Sequence, residues 1–271
     1  MATFSLAALT ALELAPPDLI EVAARCGYEQ VGLRLLPAMP GGVAYRLTDD
    51  SALMSETLER LRATGITVAD LEVVALRPET DIAAFTPFFD AGARLGAKHI
   101  LVAGYDPDLD RFSERFTRFC EAASKFGLTS DLEFMPWTSV PDLTTAARIV
   151  ENVGHPGAGV LVDALHFDRS RSRIEDLGTV PRHRLHYWQL CDAPAERPTT
   201  TDGLLHAARE ERMFPGEGEL DLVALARAMP NDITISIEVP TVQLAKTLDA
   251  EARARRALKA AKAVVETART H

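Results

Sequence analysis

The sequence predicts a (β/α)8 barrel, read as a single domain over residues 1–271, and three observations carry that expectation. Strand-like and helix-like segments alternate along the chain, which implies a parallel sheet. Eight such pairs in 271 residues match the usual length of one barrel. No glycine-rich dinucleotide fingerprint follows the first strand, which disfavours the open doubly wound sheet.

The elements follow in order. "FSLAALT" (4–10) is the first strand, and "PPDLIEVAARCGY" the first helix. Its leading prolines suit a helix start, Leu19, Val22, Ala23 and Cys26 share one face, and Gly27 suits the stop. "QVGLRLL" (30–36) precedes a loop rich in Pro and Gly, then the amphipathic "DSALMSETLERLRATG". "ITVADLEVVAL" (66–76) pairs with "DIAAFTPFFDAGARLG", and "HILVAG" (99–104) with "LDRFSERFTRFCEAASKFG". "LTSDLEFM" (128–135) precedes "VPDLTTAARIVENVG", and "GVLVDALHF" (159–167) precedes "SRIEDLG". "RLHYWQLCDA" (184–193) leads through a long loop to "DLVALARAM", and "ITISIEVP" (233–240) leads to the closing "AEARARRALKAAKAVVETA". The glycines of "PGEGEL" (215–220) follow a loop rather than a strand, so they are a weak nucleotide signal.

Composition narrows the function. Hydrophobic residues at 47% and charged residues at 25% are ordinary for a soluble globular chain. A net charge of −10 argues against nucleic acid as a partner, because a phosphate backbone needs concentrated Lys and Arg. Cys26, Cys120 and Cys191 are odd in number and form no CxxC pair, so neither a disulfide framework nor a thiolate zinc site is indicated. The N-terminal "MATFSLAALTALELAPP" is apolar, but it lacks a basic region and Glu13 interrupts it. With no run long enough to span a bilayer, a cytoplasmic protein is expected.

In a barrel, chemistry gathers where the strands end. The fifth strand ends in Glu133, the sixth in Asp163, the seventh carries Gln189 and the eighth ends in Glu238. Side-chain alternation puts Thr234, Ser236 and Glu238 on one face, and Tyr187, Gln189 and Cys191 on one face. His186 falls on the opposite face and is assigned to packing. Taken singly, each of these carboxylates is as readily a helix cap or the partner of an arginine, but three carboxylates and an amide at one end repel one another without a cation. A divalent ion relieves that repulsion, and an all-oxygen set favours Mn²⁺ or Mg²⁺, with Co²⁺ and Zn²⁺ as alternatives.

"GYEQVGLRLLP", "DLEFMPW", "GVLVDALHFDRS", "WQLCDAP", "REERMFPGEGELDL" and "ISIEVP" together resemble the sugar phosphate isomerase/epimerase group of xylose-isomerase-like barrels, over essentially the whole chain. The resemblance implies one divalent metal on Glu133, Asp163, Gln189 and Glu238. Many members carry histidine where this chain has Gln189. Glutamine occurs there in hydroxypyruvate-isomerase-like and 3-dehydroshikimate-dehydratase-like branches. The Asp-x-x-His pattern of Asp163 and His166 implies a substrate-contacting histidine in the loop after the sixth strand. The same likeness puts Arg212, on the long loop 194–218, over the site, where its planar fork suits a carboxylate or phosphate.

Around this set, Arg34 is a second anion contact, or else the internal partner of Glu72 or Asp70. Arg209 is expected in a salt bridge or at the surface. Arg169 is equally well a solvated arginine, and Trp137 and Phe214 are candidate apolar walls.

The resemblance implies an isomerase or epimerase of a small polyhydroxylated carbonyl compound acting through an enediolate. Glu133 and Glu238 would remove and return the proton, with His166 beside them. The alternative is a lyase of the 3-dehydroshikimate dehydratase kind. DNA repair by a barrel of the endonuclease-four kind is disfavoured by seven histidines and the acidic balance. A barrel that only binds its ligand is disfavoured by the two glutamates. The expected partner is a small polyol or keto substrate, with no nucleic acid and no membrane; a homodimer with a second copy is left open.

Overall fold

The computed structural model describes residues 2–270. Its eight strands are β1 (Phe4–Leu6), β2 (Gln30–Arg34), β3 (Thr67–Leu76), β4 (His99–Gly104), β5 (Thr129–Glu133), β6 (Ala158–Asp163), β7 (Tyr187–Leu190) and β8 (Thr234–Ile237). All neighbours pair in parallel, and β8 pairs back onto β1 with Ser5 opposite Ser236. The expected (β/α)8 barrel is what the chain forms.

Between the strands lie α1 (Pro16–Cys26), α2 (Ser51–Thr64), α3 (Thr86–Leu95), α4 (Leu109–Ser124) and α5 (Leu143–Val153). The second half adds α6 (Ala164–Arg169), α7 (Ile174–Leu177), α8 (Thr201–Arg209), α9 (Leu222–Ala228) and α10 (Ala250–Thr270). Aspartate starts many of them. Asp50, Asp108, Asp142, Asp163 and Asp221 each accept from a backbone N–H three residues on. Such a cap contributes about 1 kcal/mol per helix.

The main core lies between strands and helices, with Phe88, Phe89, Phe112, Phe116 and Phe119 packed on the α3–α4 side. A separate small cluster of Leu101, Leu161 and Tyr187 fills the inside of the barrel. That plug separates the two mouths.

Several boundaries differ from expectation. The first strand stops at Leu6 rather than residue 10, because a 3-10 turn, Ala8–Ala11, follows. Thr10 sets that turn: its hydroxyl donates to the Ile237 carbonyl (2.8 Å) and accepts from Val239 N (2.8 Å). The segment 159–167 is not one strand. It ends at Asp163, whose Oδ1 accepts from His166 N at 3.0 Å and starts α6, so His166 sits on a helix instead of a loop. The stretch 194–218 also holds a helix, α8, capped by the Thr200 hydroxyl.

Candidate active site

The C-terminal mouth holds a cavity of about 230 Å³. Leu9, Leu12, Val43, Val73, Leu101 and Trp137 wall it on the apolar side, and Arg34, Tyr105, Glu133, His166, Arg209, Arg212 and Glu238 supply its polar groups. Of the four predicted ligand residues, Glu133 and Glu238 face the cavity, while Asp163 and Gln189 are fully buried behind it.

Glu133 ends β5, Asp163 ends β6, Gln189 lies within β7, and Glu238 follows β8 directly. Register brings them to one level, with Asp163 opposite Gln189 and Gln189 opposite Ser236, two residues before Glu238. Gln189 Nε2 donates to Glu238 Oε1 at 3.1 Å. His166 Nε2 lies 3.7 Å from Glu133 Oε1 and 3.9 Å from Asp163 Oδ1. Trp137 holds the histidine ring edge-on, with centroids 5.1 Å apart.

Arg212 is the group whose position sequence reasoning did not foresee. It does not overhang from a free loop. Two antiparallel bridges, Asp192–Met213 and Glu211–Thr241, pin its segment, and its own N–H donates to the Pro240 carbonyl at 3.0 Å. Its side chain is buried, with Nε donating to the Ala208 carbonyl (2.8 Å). Nη1 lies 2.6 Å from Asp163 Oδ2 and Nη2 2.7 Å from Glu238 Oε2. The fork therefore closes on two carboxylates of its own chain, and the three predicted carboxylates do not converge as a tight trio. Among the described residues, the group of three metal-capable side chains whose donor atoms lie within 4.8 Å of one another is His99, Asp131 and His186, at the other mouth.

Burial and mutual repulsion shape the electrostatics. Burial, then the charges of Asp163 and Glu238, push the Glu133 carboxyl well above its usual range. Burial likewise lifts Glu238 to about 7, against the opposing pull of Arg212. Burial also acts to raise Asp163, but Arg212, His166 and the capped N–H outweigh it and hold that carboxyl low. Burial drops His166 to about 4, so its ring is neutral near pH 7.

Do these residues suit a hard cation? Glu133 Oε1 and Gln189 Oε1 are buried acceptors without a hydrogen-bond partner among the described residues, a costly condition that a bound cation would cure. Three carboxylates face one guanidinium here, and every donor of the predicted set is oxygen. The set fits a divalent ion.

Other predicted residues fall variously. Arg34 forms the internal pair given as one of its two alternatives, with Nη2 2.7 Å from Glu72; its side chain also lines the cavity, and Nε has no partner among the described residues. Arg209 is neither salt-bridged nor simply surface. It lines the cavity, with Met39 Sδ as its side-chain contact at 3.8 Å. Arg169 is buried, paired with Asp168 (2.5 Å) and the Pro194 carbonyl (2.7 Å). Trp137 is a wall, but Phe214 is not: it is buried away from the cavity, under the Arg256 guanidinium. His186 is not a packing residue on the helix side; its Nδ1 meets Asp131 at 2.7 Å. Tyr105, one residue past β4, was missed, although its place just beyond a strand end was a usable signal.

A family model described as xylose isomerase-like TIM barrel matches residues 20–264. A 3-dehydroshikimate dehydratase of Pseudomonas putida is 28% identical over 103 residues, 38% of this chain and 16% of that protein. An inosose isomerase of Bacillus subtilis is 27% identical over 115 residues, 42% of this chain and 39% of that protein. The aligned stretches thus span well under half of either curated relative. The solved structure of an IolI protein with a bound zinc atom superposes with a TM-score of 0.81 at 22% identity, covering 99% of this chain and 100% of that one. No helix among the described residues is long and apolar enough to cross a membrane.

Proposed function

The chain belongs to the xylose isomerase-like TIM barrel family, and from that premise we propose that it is a divalent-metal-dependent isomerase or epimerase of a small hydroxylated carbonyl compound. One observation carries the reading: Glu133 and Glu238, from β5 and β8, face one cavity, and both carboxyls are raised above their ordinary range. A general acid or base works best with a pKa near the working pH.

Glu133, Asp163, Gln189 and Glu238 would hold the ion, which when bound supplies Lewis acidity toward a substrate carbonyl oxygen. Mn²⁺ or Mg²⁺ suits the oxygen donors best. The proton on the adjacent carbon then passes to one glutamate, and the other returns a proton to the neighbouring carbon or to the opposite face. Neutral His166, 3.7 Å from Glu133, is placed to exchange a hydrogen bond with a substrate hydroxyl. Arg212 holds Asp163 charged and orients both Asp163 and Glu238, and its cavity-facing edge adds positive potential. Arg34 and Arg209 are the cations with capacity left for a substrate anion.

A second reading, dehydration of a cyclic hydroxy-ketone acid, is favoured by the apolar share of the walls. A polyol presents hydroxyls on every side, and Leu9, Leu12, Val73 and Leu101 answer none of them. The partial likeness to a 3-dehydroshikimate dehydratase points the same way.

The test is to load the protein with Mn²⁺ in deuterated water and offer keto-sugars, inososes and cyclic hydroxy-ketone acids. Deuterium at the carbon beside the carbonyl is expected with at least one of them. Conjugated ultraviolet absorbance in place of a rearranged product selects dehydration. No exchange with any compound at full metal occupancy overturns both readings.

A further inference from the structure

The opposite mouth carries chemistry that the proposed reaction does not use. His99 opens β4, Asp131 lies within β5, and His186 immediately precedes β7, so all three stand at the N-terminal end of the barrel. His186 Nδ1 lies 2.7 Å from Asp131 Oδ1, and His99 Nδ1 lies 3.7 Å from Asp131 Oδ2. We infer that His99, Asp131 and His186 form a separate site for a borderline divalent metal of the Zn²⁺ or Co²⁺ class.

Geometry is the first support. Donors about 2.0–2.1 Å from a tetrahedral ion are about 3.3–3.4 Å from one another. The observed 2.7 and 3.7 Å bracket that spacing, and the donors of all three residues lie within 4.8 Å. Side-chain shifts on the order of an ångström would seat the ion.

The surroundings are built around this convergence. The Thr129 hydroxyl lies 2.7 Å from Asp131 Oδ2 and 2.8 Å from His99 Nδ1, and so links the carboxylate to the imidazole. The His99 ring stacks on Tyr187, with centroids 5.0 Å apart and planes within 14°. Strand β6 lies between β5 and β7, and it gives way at Gly159. A Cβ there would stand 2.3 Å from Asp131 Oδ1 and 2.6 Å from His186 Nδ1. Glycine is what lets carboxylate and imidazole meet across the intervening strand.

The donors also select the ion. Asp131 is fully buried, whereas the imidazoles are 17% and 16% exposed, which leaves a side open to solvent for the ion and a water ligand. Two nitrogens and one carboxylate oxygen are the donor types of open zinc sites, and Mg²⁺ prefers oxygen.

Zn²⁺ stoichiometry of the full chain, measured by equilibrium dialysis with elemental analysis, tests the site. His186→Ala and His99→Gln should each bind one Zn²⁺ fewer than the unmodified chain. Because the readout is a difference, it holds whether or not the C-terminal mouth fills. Equal stoichiometry in folded variants overturns the site. If a variant does not fold, pulsed paramagnetic resonance of the Cu²⁺-loaded wild-type chain asks the same question. One copper coupled to two imidazoles is expected, since the other mouth offers oxygens and the single imidazole of His166; coupling to at most one overturns the inference.

Discussion

The two mouths of this barrel solve the problem of buried charge in different ways. At the C-terminal mouth two of three carboxylates close on one guanidinium, two acceptor oxygens stay unpartnered, and a cavity lies alongside. At the N-terminal mouth one carboxylate meets two imidazoles and a hydroxyl, with a glycine making room. The first end is left short of cation and open to a ligand. The second pairs its carboxylate within the chain. Unpartnered groups alone do not mark the working end, since both oxygens of buried Asp70, opposite His99, also lack a partner among the described residues; what sets the C-terminal mouth apart is the cavity beside its orphaned oxygens.

The largest expected contrast is between the two central aspartates. Asp163→Ala removes a proposed metal ligand, the cap of α6 and the partner of buried Arg212 together. Breaking a buried pair on one side costs about 3–5 kcal/mol. Denaturant unfolding should show that loss, and metal content and turnover should vanish with it. Asp131→Ala should cost only about 1–3 kcal/mol, since its imidazole partners keep an exposed edge that can meet water. Equal costs would erase the distinction between the ends.

Next come the glutamates. Glu133→Gln and Glu238→Gln should each lower turnover on the order of a hundredfold or more, with smaller effects on KM. Metal content has to be measured alongside, because both are proposed ligands. Normal turnover at full occupancy removes either one from proton transfer.

Arg212→Lys sharpens what that arginine does. A lysine cannot bridge Asp163 and Glu238 as the fork does, so a loss of roughly ten- to a hundredfold in kcat/KM is expected for charged and neutral substrates alike, with weaker metal binding. A loss confined to anionic substrates would instead make Arg212 a substrate clamp.

Acidity should act on the C-terminal mouth in a defined direction. Glu238, held at about 7, and Glu133, held well above its ordinary range, have folded pKa values above that of an exposed glutamate, near 4.3. Their contribution to metal-free stability is full below the unfolded value and is lost as pH rises through the folded values, about 7 for Glu238. Metal binding runs the other way, because the ion must displace those protons. Calorimetry across neutral pH should show affinity rising several-fold with proton release; a flat profile would mean the carboxylates are already charged. The smallest effect on turnover is expected from Gly159→Ala, which should leave it unchanged while lowering the melting temperature through overpacking of about 1–3 kcal/mol.

The barrel and the level of Glu133, Asp163, Gln189 and Glu238 were legible because strand period and strand ends are local properties of the sequence. The fork of Arg212 was not legible. Its direction depends on bridges between residues 192 and 213 and between 211 and 241, which no local pattern encodes. His186 was misread for a related reason: alternation was extended to a residue one position before β7, where the pleat no longer governs side-chain direction. Helix α6 was hidden because it continues directly from β6, and α8 because it lies inside the long loop; both start on a side-chain cap.

The pairing of β1 with β8 has a consequence for the making of the protein. Residues 4–6 leave the ribosome first among the strands, and their neighbour, 234–237, leaves last. Until then Glu133 and Asp163 have neither Glu238 nor, before residue 212, their guanidinium. A half-synthesised chain therefore holds uncompensated carboxylates beside an open sheet edge, a state that solvation favours over packing. The acidic cluster of the finished site is thus complete only when β8, the strand that closes the barrel onto β1, is available.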